Sequence, residues 1–152
     1  MNDRLKSLYQ RVILAKAKDE RFVGELQDHT HSIKAYNPLC GDKYELQMIV
    51  EEGLVKSLKY RGSGCSISKA STAVLCENLN GKNQEEVLLE IQRFLELVDS
   101  DSDLEPDQIT SDETLLAFAA AREFPERKSC ADLSWKEVQK QFNQLFPNHS
   151  KE

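Results

Sequence analysis

Between Tyr44 and Ser66 the hydrophobic pattern of this chain changes its period, and that switch limits the available folds more than any other feature. Tyr44, Leu46, Met48 and Val50 alternate with Glu45 and Gln47, the period of two that marks a half-buried strand. Ile33 to Tyr36 reads as a strand before it. Glu51-Glu52-Gly53 turns the chain into a third, where Leu54, Leu58 and Tyr60 share a face and Lys56 is the polar exception. From Ser66 onward the apolar residues return at helical spacing: Ile67, Ala70 and Val74 line one side, and Gly81 stops the helix after Asn80. Strands in one run and helices in another give an α+β chain.

The other helices follow the same reading. Leu5, Leu8, Tyr9 and Val12 form an N-terminal helical stripe behind Asn2 or Asp3 as cap, and the polar stretch Lys16 to Thr30 reads as loop with some helix. Asn83 with Glu86 resembles a capping box opening a helix through Val87, Leu88, Ile91, Leu95 and Val98. The acidic segment Asp99 to Asp107, with Pro106, reads as a solvated loop. Ser111 begins a helix through Leu115, Phe118 and Ala119 that must stop near Pro125, and a last helix carries Trp135, Val138, Phe142 and Leu145. The expectation is an N-terminal helix, a small antiparallel sheet of about three strands, and a helical C-terminal half packed on one face. Residues 1–147 form one domain in this reading, and 148–152 a polar tail.

Charge and hydropathy exclude several function classes. A net charge of −6 without clustered Lys or Arg argues against nucleic acid. No apolar run approaches the length of a membrane span, and Met1-Asn2-Asp3-Arg4-Leu5 lacks the apolar core of a secretory signal, so the expected location is cytoplasmic. In a reducing compartment the four cysteines are expected to be free, catalytic or metal-bound rather than paired.

Three of those cysteines sit where a metal site would want them. Cys40 lies in the Pro/Gly-bounded turn Asn37-Pro38-Leu39-Cys40-Gly41-Asp42, Cys65 ends Gly62-Ser63-Gly64-Cys65 and opens a helix, and Cys130 follows Pro125 and is read as preceding a helix. A thiol at a helix N-terminus sees the positive end of the dipole, which favours the thiolate. Asp42 adds an oxygen, and three sulfurs with one oxygen suit tetrahedral zinc. On spacing alone the same thiols are equally well small buried apolar residues, because no Cys-x-x-Cys knuckle is present. Their placement in loops and at helix starts, beside Gly or Asp, argues for a site. Cys76 lies 11 residues beyond Cys65 on one helix, about 16 Å away, and reads as core packing. His29 and His31 read as a solvated loop, His149 as part of the tail, and Trp135 as a core anchor.

The blocks Asn37 to Asp42 and Gly62 to Ser68, the latter followed by Ala70-Ser71, resemble the two signatures of the NifU/IscU/SufU scaffold family. Phe124-Pro125-Glu126-Arg127-Lys128-Ser129-Cys130-Ala131-Asp132-Leu133-Ser134-Trp135 resembles the SufU branch. The likeness runs from the first helix to about Phe142. The branch served by a dedicated chaperone pair carries Leu-Pro-Pro-Val-Lys and a His before its third Cys. Phe124 to Lys128 does not match that segment, and Ser129 stands in place of the His. The long stretch from Cys65 to Cys130 also resembles the SufU insertion. Two departures are visible: Lys16 to Gly24 lacks the usual Asn-Pro-rich stretch, and Cys76 stands where the family generally has another residue.

The resemblance implies zinc bound by Cys40, Asp42, Cys65 and Cys130, with Arg127 beside the third Cys as a possible support for docking or thiolate charge, or equally a plain surface residue. It implies sulfur accepted on Cys40 from a SufS-like cysteine desulfurase and passed to a downstream iron–sulfur assembly scaffold. Cys40 is the expected acceptor because its Gly-flanked loop is short and exposed, and thiol–persulfide exchange suits a thiolate of near-neutral pKa. Two alternatives stand beside this sulfurtransferase reading: a scaffold assembling a labile [2Fe–2S] cluster, and a structural zinc module that only binds partners.

Overall fold

The period-two segment forms the middle strand of a three-stranded antiparallel sheet, in the order β1 (His31–Asn37), β2 (Asp42–Glu51), β3 (Leu54–Ser63). The computed structural model describes residues 3–145, so Asn2, His149 and the tail 148–152 lie outside the described residues. Tyr44, Leu46 and Met48 point inward and are buried, as the alternation requires. Gln47 on the opposite face is buried as well, because Leu26 donates its N–H to Gln47 Oε1 at 2.7 Å. The polar stretch after the first helix is therefore irregular chain pinned to the sheet. It runs along the free edge of β3, where Val23 bridges Tyr60.

The third strand departs from the expected alternation. Val50 pairs with Val55 and Ile49 with Ser57, so Lys56 is an extra residue in β3. The bulge shifts the parity of the strand. Val55 joins Leu58 and Tyr60 on the buried face, and Leu54, expected there, is only half-buried.

Helix α1 (Asp3–Ala17) precedes the sheet, and α2 (Ser66–Leu79) follows it. Ile67, Ala70 and Val74 at helical spacing would give α2 one buried side, but it is buried nearly all round, from Ile67 to Leu79. It packs against α1, β3 and α6 (Pro125–Leu145) and so is the central element. Helix α3 (Gln84–Leu97) opens with the expected capping box, Asn83 Oδ1 accepting from Glu86 N–H and Glu86 Oε1 from Asn83 N–H, both at 2.9 Å. Its Phe94 ring stacks on Trp135 of α6 at 4.0 Å between centroids, confirming Trp135 as a core anchor.

The segment after the acidic loop is more broken than the sequence suggests. The short helix α4 (Pro106–Ile109) is followed by α5 (Glu113–Leu116), capped by Asp112 instead of Ser111, and then by a 3-10 turn over Ala117–Glu123. The small, wholly buried run Ala117 to Ala121 tightens to fit between α1, α3 and α6. Among the described residues no helix is long and apolar enough to cross a membrane.

Candidate metal centre

The β1–β2 hairpin builds the first part of the site. Its loop has four residues, Pro38 to Gly41, because Asn37 and Asp42 are register partners. Gly41 takes φ 75°, a conformation glycine adopts without strain, and its N–H donates to Asn37 O at 2.8 Å. The Asn37 side chain, buried at 6% exposure, sets the base of the loop: Oδ1 accepts from Leu39 N–H at 3.1 Å and Nδ2 donates to Ser129 Oγ of α6 at 3.2 Å. Cys40 is left exposed at the tip, while Asp42, the first residue of β2, is fully buried.

The helices supply the other thiols. Cys65 is the N-cap of α2, and its sulfur accepts from Ser68 N–H at 3.5 Å. Cys130 lies inside α6, buried at 1% exposure, and its Sγ is 3.2 Å from Cys40 Sγ. This corrects the reading that Cys130 precedes a helix. Pro125 ends the previous segment but is also at home in the first turn of the next, since its missing N–H costs nothing there. Cys130 is therefore past the helix end and its dipole. Burial, with the neighbouring Cys40 and then Cys65 and Asp42, pushes its thiol well above the ordinary range. A thiolate at Cys130 requires a positive charge beside it.

Cys40, Asp42 and Cys130 each bring a ligand atom within 4.8 Å of the others, the one such group found among the described residues. Asp42 Oδ1 is occupied, accepting from Cys65 N–H and from Ser68 Oγ, both at 3.0 Å. Asp42 Oδ2 is buried without a hydrogen-bond partner. A buried carboxylate that keeps one oxygen without a donor and is grouped with two cysteine sulfurs is the environment a divalent soft-to-borderline cation fits. Cys65 falls outside the 4.8 Å group, although it is near enough to Cys130 to raise its thiol.

The remaining candidates separate cleanly. Arg127 is exposed on the first turn of α6 and lines a groove of about 420 Å³ with Tyr9, Ile13 and Cys65. Cys76 is fully buried and burial pushes its thiol up, so it is the core residue its spacing implied. His29 is exposed and hydrogen-bonds Leu26 O at 2.9 Å, and His31 contacts Thr30 Oγ1 at 2.8 Å. Ser68, Tyr44 and Gly64 were not singled out from sequence. They surround Asp42: Tyr44 Oη is 2.8 Å from Ser68 Oγ, and a Cβ on Gly64 would lie 2.6 Å from Asp42 Oδ1. The visible signal was the Gly-Cys-x-x-Ser order, in which a serine three residues past an N-cap reaches back toward it.

The NifU-like N-terminal domain model matches residues 8–131. This chain belongs to that family. Among NifU-like relatives it is 33% identical over 139 residues to the zinc-dependent sulfurtransferase SufU of Bacillus subtilis, covering 91% of this chain and 92% of that one. It is 29% identical over 140 residues to the iron–sulfur cluster assembly scaffold protein IscU of Thermotoga maritima, covering 92% and 96%. The N-terminal part of a nitrogen-fixing NifU-like protein from Brucella abortus superposes with a TM-score of 0.77 at 17% identity, over 93% of this chain and 96% of that one, a likeness of fold. The chain is thus a member of the iron–sulfur cluster assembly scaffold family, of the α+β class expected.

Proposed function

We propose that this NifU-like chain is a zinc-dependent sulfurtransferase of iron–sulfur cluster assembly, which takes persulfide sulfur from a cysteine desulfurase onto Cys40 and hands it on. The observation that carries the reading is an asymmetry: of the grouped ligand residues, Cys40 is exposed on a hairpin tip, whereas Asp42 and Cys130 are buried. Zinc held by Cys40, Asp42, Cys65 and Cys130 would supply the positive charge that keeps these thiols ionised. The 33% identity to a protein named for this activity supports the same reading.

The chemistry falls to Cys40. Its thiolate attacks the outer sulfur of the donor's persulfide. A new S–S bond forms at Cys40, the donor's S–S bond breaks, and the donor cysteine leaves as a thiolate. No net oxidant is needed, because one persulfide replaces another. Passing the sulfur on repeats the exchange with a thiol of the downstream scaffold. Arg127, a short distance along α6 from Cys130, stands at the rim where a partner would approach.

The test is elemental analysis together with mass spectrometry after incubation with a desulfurase and cysteine. The expected result is about one zinc per chain and added sulfur on the Cys40 peptide, lost in Cys40→Ala. Sulfur mapping to Cys65, Cys76 or Cys130 would reassign the acceptor. A [2Fe–2S] cluster forming on reconstitution without added sulfur would favour the scaffold reading instead.

A further inference from the structure

The two oxygens of Asp42 are not equivalent. Oδ1 receives the Cys65 N–H and the Ser68 hydroxyl, whereas Oδ2 is buried with no donor. Ser68 has one hydroxyl proton and two nearby acceptors, Asp42 Oδ1 at 3.0 Å and Cys65 O at 3.1 Å. The charged acceptor makes the stronger bond, so the proton points to Asp42. Tyr44 Oη, 2.8 Å from Ser68 Oγ, then donates to Ser68. All three side chains are buried, at 2%, 1% and 0% exposure for Tyr44, Ser68 and Asp42. Gly64 provides the room, since a Cβ there would fall 2.5 Å from Ser68 Oγ and 2.6 Å from both Asp42 Oδ1 and Tyr44 Oη.

The geometry points to Ser68, seated by Tyr44, as the positioning residue that makes Asp42 a one-oxygen metal ligand. The inference rests on the metal-centre reading above and deepens it. Two donors hold Oδ1 against the start of α2, so the carboxylate is not free to turn, and Oδ2 is the oxygen left without a donor in a group that also holds the Cys40 and Cys130 sulfurs. A fixed buried oxygen beside an exposed loop thiol leaves Cys40 as the ligand free to exchange. Ser68 acts through Asp42 and touches neither the metal nor the persulfide.

Outer-shell partners of this kind cost about 10- to 100-fold in metal affinity when removed. The experiment is chelator competition for zinc on the wild type, Ser68→Ala, Tyr44→Phe and Asp42→Ala, and on the double variants Ser68→Ala/Asp42→Ala, Tyr44→Phe/Ser68→Ala and Tyr44→Phe/Asp42→Ala. Circular dichroism of each metal-free variant checks the fold. Ser68→Ala is expected to weaken zinc by about tenfold. Tyr44→Phe should weaken it less, and should add nothing to Ser68→Ala. In the Asp42→Ala background, Ser68→Ala should change nothing. The inference is overturned if Ser68→Ala keeps full affinity, or if its loss persists undiminished without Asp42, which would make it a packing effect. Should Ser68→Ala fail to fold, the isosteric Tyr44→Phe is judged by the same two criteria. The competition is run anaerobically with ferrous iron in parallel. A wild type that takes iron and no zinc overturns the zinc reading while scoring Ser68 by the same ratios, and one that takes neither overturns both.

Discussion

Cys40 and Cys76 carry the same thiol in opposite surroundings, one exposed at a hairpin tip and one fully buried in α2. The Cys76→Ser variant should keep its full metal content and lose about 1–3 kcal/mol of stability, the cost of a buried hydroxyl without a partner. Denaturant unfolding with metal analysis on the same samples checks both halves, and metal loss would contradict the placement of Cys76. A second prediction concerns Ser129, whose hydroxyl braces the Cys40 loop through Asn37 Nδ2 at 3.2 Å. Removing it in Ser129→Ala should cost about 1 kcal/mol and speed alkylation of Cys40 by iodoacetamide in metal-free protein. Unchanged alkylation would mean the loop does not depend on the brace. The role of Cys76 was legible in the sequence because a helical rise fixes its distance from Cys65. The roles of Asn37 and of Ser68 toward Asp42 were not, because each depends on a hydrogen bond across many residues, and the Gly-Cys-x-x-Ser order shows only that the serine reaches back toward Cys65.

At the scale of elements, the sheet shows which patterns a sequence declares and which it conceals. The alternation of β2 was readable because its inward residues lie on one hydrophobic face throughout. The bulge at Lys56 was not, since one inserted residue exchanges the faces without changing composition. Cys130 was misplaced for a related reason: Pro125 both ends one segment and begins α6, and only packing decides between the two. The outer face of the sheet carries a pH-dependent tie. Glu45 on β2 accepts from Ser32 Oγ of β1 at 2.6 Å and from Arg61 of β3 at 2.9 Å. The Ser32 hydrogen bond first, then Arg61, holds its carboxyl down at about 2, against an ordinary 4.5. A carboxyl depressed in the folded state contributes stability above its unfolded value, and that contribution is lost as pH falls through the folded one. The difference in Tm between wild type and Glu45→Gln should therefore be constant above about pH 5 and shrink toward pH 2. Thermal melts across that range measure it. A difference that does not depend on pH would show that the tie is not ionic. The exposure of Arg61 beside the half-buried Glu45 keeps the effect small and salt-sensitive.

For the whole molecule, the candidate metal centre is the point where three otherwise separate pieces meet: the β1–β2 hairpin, the start of α2 and the body of α6. Cys40 and Cys130 are 90 positions apart in the chain yet 3.2 Å apart in space. Ordering such distant segments costs chain entropy, so a metal that joins them only in the folded state adds its binding energy to folding. Loading at a hundred times the dissociation constant contributes about 2.7 kcal/mol. The main core does not need this help. Phe94 stacked on Trp135, with Phe118 at 5.4 Å, packs α3, α6 and the 3-10 turn away from the hairpin tip. Chelation should therefore lower Tm without abolishing the fold, and the loss should be local. Hydrogen exchange should accelerate first at residues 37–42 and at the opening turns of α6, while the amides around Ile91, Phe94 and Val138 remain protected. The Asp42→Ala variant should show part of the same pattern before any chelator is added, because its carboxylate is the fixed oxygen of the site. If chelation instead leaves exchange unchanged at the hairpin, metal binding is not linked to this part of the fold, and the centre assigned here is the wrong one. If it unfolds the Trp135 region as well, the metal supports the entire helical layer, and the division between core and site drawn from the packing fails.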